Sequence, residues 1–417
     1  MLDFIITILK LVVVLGIVTT IHEFGHFLFA KLFKMGVNEF SIGFGPKIFQ
    51  KKYKETFYSL RCIPLGGYCA IEGEAGDSER EDSFVKKNVF QKVIVLVMGA
   101  TFNALLAIAL FLFVAFSFPS FNTKITSFSP DSVSEKAGLR EGDMITSING
   151  EKVDLFSEVL NFKPSDSNDV KVEYIRENQK YETTIKDANI NTGYIGVSFK
   201  VSDDGSYVTS IVDMIASGNR AFEAGLKSGD KILSINEITT NTSDDVISIV
   251  RDNIEKPLDF EIERDGQTMK KTITPASKRT FDLGISSTEE VKTTFSLAIS
   301  SSIENVKNIV GSYVDLFKGK VGIKDMSGIV GIGEVVSKTS GFLDFINLVG
   351  IISLAVGVAN LMPFPPLDGG KVVIVIGEAI TRKKISLKTE AIISYIGFGL
   401  LILLTLVVTY NDIIRIF

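Results

Sequence analysis

Tryptophan is absent from this chain of 417 residues, and histidine and cysteine each occur only twice. Without Trp, one common anchor at a membrane boundary is missing, and that role falls to the 31 Phe and 10 Tyr. Cys62 and Cys69 are too few for a disulfide framework and lack the spacing of a C-x-x-C metal site, so they read as free thiols. An excess of positive charge is also lacking. The formal net charge is −5, with no basic patch strong enough to expect nucleic acid as a partner. The histidine shortage says most, because His22 and His26 are the whole supply. They sit four residues apart around Glu23 in TTIHEFGHFLFAKL, residues 19–32.

What is abundant is apolar. Hydrophobic residues make up 46% of the chain, and the mean hydropathy is +0.29. The excess is concentrated in four runs, at about 4–30, 91–118, 342–361 and 391–410. Each reaches the roughly 20 residues that a spanning helix needs. The first run lacks a basic leader and a clear small-x-small cleavage site, so it is expected to be a retained span. Lys and Arg are concentrated between 31 and 89 and again between 363 and 390. By the positive-inside rule both loops are expected in the cytoplasm, with both termini and the long 119–341 stretch outside.

Residues 119–285 are polar and alternate as a β-rich soluble insert does. AGLREGDMITSING, starting at Ala137, is echoed by AGLKSGDKILSINE, starting at Ala224. In each copy a Gly-Asp turn leads into a strand pattern, then a helix-like stretch, then a strand and hairpin. This A-G-L-x-x-G-D-x-I-x-x-I-N signature resembles tandem PDZ domains. Such domains bind extended peptides at a sheet edge, although two copies could equally serve as a plug or gate. The expected fold class is thus a polytopic α-helical membrane protein with four transmembrane helices. Two α+β PDZ-like domains are inserted between the second and third spans. The expected divisions are 1–118 for the N-terminal membrane region, 119–198 and 199–285 for the two copies, 286–341 for an amphipathic connecting segment, and 342–417 for the C-terminal membrane region.

Ionisable groups at bilayer depth are costly unless partnered, which makes His22, Glu23 and His26 a functional candidate. Residues four apart share one helix face, so the two imidazoles can grip one zinc ion. Glu23 projects about 100° away and could work on a water at the metal without ligating it. Gly25 leaves room for a close neighbour. Catalytic zinc takes three protein ligands, and no third histidine exists. The best candidate is Asp368 in NLMPFPPLDGGK, residues 360–371. Three prolines and two glycines there interrupt the helix, which membrane depth tolerates only beside protein or a polar cavity. His22 precedes Lys31 by nine residues, or about 13 Å of helix, so the site is expected in the membrane on the cytoplasmic side.

HEFGH at 22–26, FSIGFGP at 40–46, IPLGGYCAI at 63–71, the two PDZ-like copies and NLMPFPPLDGG at 360–370 together resemble the site-2 protease family. These are intramembrane zinc metalloproteases, and the match is to the bacterial RseP/RasP type. The resemblance implies His22, His26 and Asp368 as zinc ligands and Glu23 as catalytic base. It implies Asn360 as a residue that holds substrate near the metal. The Gly66-Gly67-Tyr68 region looks like a membrane-associated β element that accepts an unwound substrate as an added strand. It further implies single-span membrane protein substrates such as anti-sigma factors or signal-peptide remnants, cut after an upstream site-1 type protease has removed their outer domain. The implied location is the bacterial cytoplasmic membrane. The chain departs from the family pattern at Ala100 in GATFN and at Ile329 in SGIVGI, residues 327–332. A catalytically silent, membrane-anchored PDZ scaffold is the alternative. A metal transporter fits less well, because only one ligand cluster is visible.

Overall fold

The computed structural model describes residues 2–74, 76–117, 120–202, 207–215, 218–319, 326, 328–339, 341–383 and 385–416. Ser327 of the departing SGIVGI stretch lies outside them. The chain divides into two compact units. One comprises Met1–Phe118, Ala298–Val321 and Ser327–Thr409, and the other comprises Pro119–Leu297, Gly322–Met326 and Tyr410–Phe417.

The first unit is helical. It holds α1 (Leu2–Leu32), α2 (Val89–Ser117), α4 (Ile329–Lys338), α5 (Phe342–Asn360), α6 (Asp368–Thr381) and most of α3 (Phe295–Phe317) and α7 (Leu387–Ile416). Among the described residues four helical stretches are long and apolar enough to cross a membrane: Phe4–Leu32, Val89–Ser117, Phe342–Asn360 and Lys388–Ile414. Apolar side chains cover their outer faces, among them Leu9, Phe113 and Leu403, as lipid contact requires. Inside the bundle Val14 and Val18 of α1 pack with Leu348, Val349 and Ile352 of α5. Close approach depends on small residues. A Cβ on Gly25 would lie 2.3 Å from the Met98 carbonyl oxygen, so only glycine lets α1 meet the α2 backbone there.

Within the expected connecting segment at 286–341, parts of α3 and α4 pack into the bundle. Val306 and Ile309 of α3 pack against Ala107, Phe111 and Leu354, and the Tyr313 hydroxyl donates to the Ala355 carbonyl at 2.9 Å. Val336 of α4 is fully buried beside Val14 and Val18. The polar residues between these apolar positions hide the contact from a simple reading of hydropathy.

Between α1 and α2 run two long bent strands, β1 (Val37–Tyr53) and β2 (Thr56–Ile71). Phe40 faces Cys69 on one side and Tyr58 on the other, while Lys51 also faces Tyr58. The first half of β1 is therefore bracketed, and residues 63–71 form an outer strand. Arg61 pins the arrangement. Its guanidinium donates to Glu39 Oε1 at 2.8 Å, to the Tyr68 hydroxyl at 2.7 Å and to the Gly45 carbonyl at 2.7 Å.

The second unit is β-rich and repeats itself. In one copy Met144–Ile148, Val170–Arg176 and Gln179–Ile185 pair in sequence, with a helix at Phe156–Leu160. In the other, Lys231–Ile235, Leu258–Arg264 and Gln267–Ile273 do the same, with a helix at Ser243–Asp252. The Gly-Asp turn has the same purpose in both. Asp143 is buried, accepts from the Arg140 amide and takes a two-point ion pair from Arg176. Asp230 repeats this with the Lys227 amide and Arg264.

The expected cut between 198 and 199 does not separate two cores. Ile195, just before it, is buried in the core of the second copy, with Val197 packed against that core. Leu283 and Ile285, assigned by sequence to the second copy, are buried in the core of the first. Strands Asn189–Tyr194 and Ala276–Phe281 pair with each other as the chain crosses in each direction. Val197 then faces Ile215 in the second copy, and Ile285 faces Phe128 in the first. Each copy thus lacks one edge strand until the segment following the other copy's hairpin supplies it. Gly196 (φ +83°) and Gly284 (φ +64°) occupy matching bends, against Asn219 and Ser132.

Candidate metal centre

His22 and His26 lie on consecutive turns of the unbroken helix α1, and both are buried. Their Nε2 atoms are 3.1 Å apart. Asp368 Oδ2 sits 2.9 Å from His22 Nε2 and 3.3 Å from His26 Nε2. Zinc bonded at about 2.0–2.1 Å in a tetrahedron has ligand atoms about 3.3 Å apart. The three distances therefore fit one zinc ion, with two neutral nitrogens and one carboxylate as donors. Among the described residues this is the one His/Cys/Asp/Glu group close enough to share a metal ion.

Two features bring Asp368 to that place. The proline-rich loop after Asn360 ends α5 and turns the chain, and Asp368 opens α6. Gly369 and Gly370 then lie against the loop, where Cβ atoms would meet the Leu361 carbonyl oxygen at 2.2 Å and the Pro365 nitrogen at 2.3 Å. A carboxylate in the first turn of a helix also gains from the helix dipole. Burial works against the Asp368 charge. One turn on, Lys371 Nζ pairs with Glu74 Oε1 at 2.6 Å. Burial works against that ammonium as well, yet the Glu74 charge raises its pKa.

Glu23 stands beside the cluster and not within it. Its Oε2 accepts the backbone N–H of Cys69 at 2.9 Å. Burial, reinforced by the Glu23 charge, pushes the Cys69 thiol far above its ordinary pKa, so it is a neutral, unreactive group. Gly67 and Tyr68 pair with Ile42 and Ser41 on one side of the outer strand. Gly66 (φ +141°) accommodates the Phe44 ring, which a Cβ would approach to 2.3 Å. Pro64 and Cys69 run alongside α1, with the Pro64 carbonyl oxygen 3.1 Å from a Cβ built on Gly16. Asn360 ends α5 half-buried, and no hydrogen bond joins it to His22, His26 or Asp368 among the described residues.

The sequence motifs give α2 no role at the site, and the structure gives it three contacts. The His26 Nδ1 atom lies 2.8 Å from the Val95 carbonyl oxygen. Asn103 Nδ2 lies 3.3 Å from His22 Nδ1. Gly99 lies between them, where a Cβ would be 2.4 Å from His26 Nε2. An asparagine inside an otherwise apolar span was the available signal.

Spanning helices together with an H-E-x-x-H helix define a membrane metallopeptidase. The model of peptidase family M50 matches residues 10–404, and the chain belongs to that family, the site-2 proteases. It is 30% identical to "Probable protease eep" of Enterococcus faecalis, covering 99% of each chain. It is 29% identical to "Regulator of sigma-W protease RasP" of Bacillus subtilis, covering 99% of this chain and 100% of that one. It is also 29% identical to "Zinc metalloprotease RasP" of Bacillus licheniformis over 99% of each. These relatives put the chain among enzymes, against the scaffold alternative. Among solved structures, the HtrA3 PDZ domain bound to a phage-derived ligand matches at 18% identity, covering 22% of this chain and 92% of that one, with a TM-score of 0.19. The HtrA-type protease AlgW with decapeptide matches at 12% identity over 33% and 55%, with a TM-score of 0.21.

Proposed function

We propose that this protein hydrolyses single-span membrane proteins within the bilayer, using zinc held by His22, His26 and Asp368. The observation that carries the reading is the meeting of His22 Nε2, His26 Nε2 and Asp368 Oδ2 at 2.9–3.3 Å. Zinc, when bound, supplies Lewis acidity and lowers the pKa of water toward neutrality. Glu23 removes the proton of the attacking water and returns it to the leaving amine. Asn360 hydrogen-bonds the substrate backbone. The outer strand at 63–71 receives the unwound substrate as an added strand, with Gly66, Gly67 and Tyr68 at its centre.

The two β-rich copies act as PDZ-like modules outside the cytoplasmic membrane, and the active site lies toward the cytoplasm. A cavity of ≈ 450 Å³ between Tyr194–Phe199 and the helix at Ser243–Asp252 has the apolar lining that an extended peptide would need. One relative is named for regulating a sigma factor, which favours membrane-anchored anti-sigma factors as substrates. An upstream site-1 type protease would act first. The deciding experiment is cleavage of a tagged single-span substrate by purified protein. Glu23→Gln should retain zinc and lose cleavage. Cleavage at the wild-type rate by that variant would refute the assignment of the base.

A further inference from the structure

Val95, Gly99 and Asn103 are four residues apart along α2 and so share one face of that helix. This face lies against both imidazoles. A backbone carbonyl can only accept a hydrogen bond, so the contact from Val95 fixes the His26 proton on Nδ1. The Nε2 lone pair of His26 is then left facing His22 and Asp368. Gly99 keeps the surface clear, because any Cβ would overlap both Nε2 atoms, at 2.4 and 2.7 Å.

Asn103 holds the matching position for His22. It is completely buried in the centre of a spanning helix, where a polar side chain is costly. Among the described residues its one side-chain hydrogen-bond partner is His22 Nδ1, and its Oδ1 has none. Packing alone does not account for an asparagine there, since an apolar residue of similar shape would avoid that cost. The residue is also firmly held. The Ser353 hydroxyl donates to its backbone carbonyl at 2.9 Å, and Gly357 lets α5 approach so closely that a Cβ there would lie 3.2 Å from Asn103 Cβ.

We propose that Asn103 is the positioning residue for His22, with its side-chain oxygen accepting the Nδ1 proton so that Nε2 is presented to the metal. A half-turn of the terminal amide brings Oδ1 to the place facing His22. A ring nitrogen can bind a metal only through its lone pair, so the proton of neutral His22 must be on Nδ1 and needs an acceptor there. On this view α2 orients both histidines, through Val95 O and Asn103 Oδ1, and contributes no ligand itself. The proposal rests on the metal-centre reading above.

The test is zinc retention against a graded chelator by purified full-length protein, compared across the wild type, Asn103→Leu and Asn103→Asp. Leucine keeps the approximate shape without an acceptor, and aspartate keeps the acceptor. Asn103→Leu should bind zinc about 10- to 100-fold more weakly, while Asn103→Asp should hold it at least as well as the wild type. Should Asn103→Leu fail to fold, Asn103→Ala takes its place in the same comparison. Wild-type affinity in the leucine or alanine variant would overturn the proposal. So would equal weakness of the aspartate and leucine variants, which would point to packing. A wild type that binds no zinc would instead defeat the metal centre itself.

Discussion

The backbone N–H of Cys69 donates to Oε2 of Glu23 at 2.9 Å. This bond links the outer strand of the β1–β2 hairpin to the residue assigned as general base. It fixes one carboxylate oxygen, and among the described residues no hydrogen bond holds the other, which can meet a water. Cys69→Pro removes the donor at a strand edge, where proline is tolerated. We expect zinc content to be unchanged and cleavage to fall roughly 10- to 100-fold, the scale of a misplaced catalytic group. Unaltered turnover by a folded, zinc-loaded variant would show that the bond is incidental.

The three ligands answer to a metal assay. His22→Ala, His26→Ala and Asp368→Ala should each lose bound zinc in elemental analysis of purified protein. Stripping zinc from the wild type with a chelator should stop cleavage, and adding it back should restore it. Full zinc occupancy in Asp368→Ala would remove that residue from the set.

Gly99 makes a sharper steric prediction. Gly99→Ala places a methyl group where the His26 and His22 Nε2 atoms now lie, so zinc binding should be largely lost. Gly399→Ala is the control, because nothing lies within 4 Å of a Cβ at that position of α7. Equal zinc content in the two variants would contradict the described contact of α2 with the rings.

The repeated Asp–Arg pairs predict a matched loss of stability. Asp143 and Asp230 are almost completely buried, and their partners are Arg176 and Arg264. Arg176→Ala and Arg264→Ala each leave a buried carboxylate without its partner, a cost of about 3–5 kcal/mol. Chemical denaturation of the whole protein, followed by hydrogen exchange in the two copies, would measure it. A cost within about 0.5 kcal/mol, typical of a surface substitution, would mean the pairs are dispensable.

The exchanged edge strands can be tested by position. Leu283→Ala should destabilise the copy containing Ile145 and Ile148 by about 2–4 kcal/mol, since Leu283 is buried in that core. Hydrogen exchange should quicken first at those strands. Faster exchange confined to Ile232 and Ile235 would restore the simple sequential division of the insert.

The four apolar runs were legible because lipid demands a long uninterrupted stretch, and hydropathy records that directly. The strand-and-hairpin pattern of each copy was legible for a similar local reason, alternation along a strand. The exchange of edge strands was not. Ile195 and Leu283 are apolar in either arrangement, and only their partners reveal which core they fill. Likewise the sequence carries Asn103 as a polar residue in an apolar span, a signal without a partner, because its proximity to His22 Nδ1 is a matter of how α1 crosses α2. That crossing depends on Gly25 meeting the Met98 carbonyl, a contact no spacing encodes.

By itself the sequence determined that His22 and His26 share a helix face with Glu23 beside them, because helical pitch makes neighbours of residues four apart. Only the tertiary structure decided that Asp368, 346 residues from His22, meets it at 2.9 Å. It also decided that a strand amide holds Glu23 and that the face of α2 lies behind both rings. Such meetings arise from backbones that pack closely only where glycine permits, and they depend on the whole bundle at once.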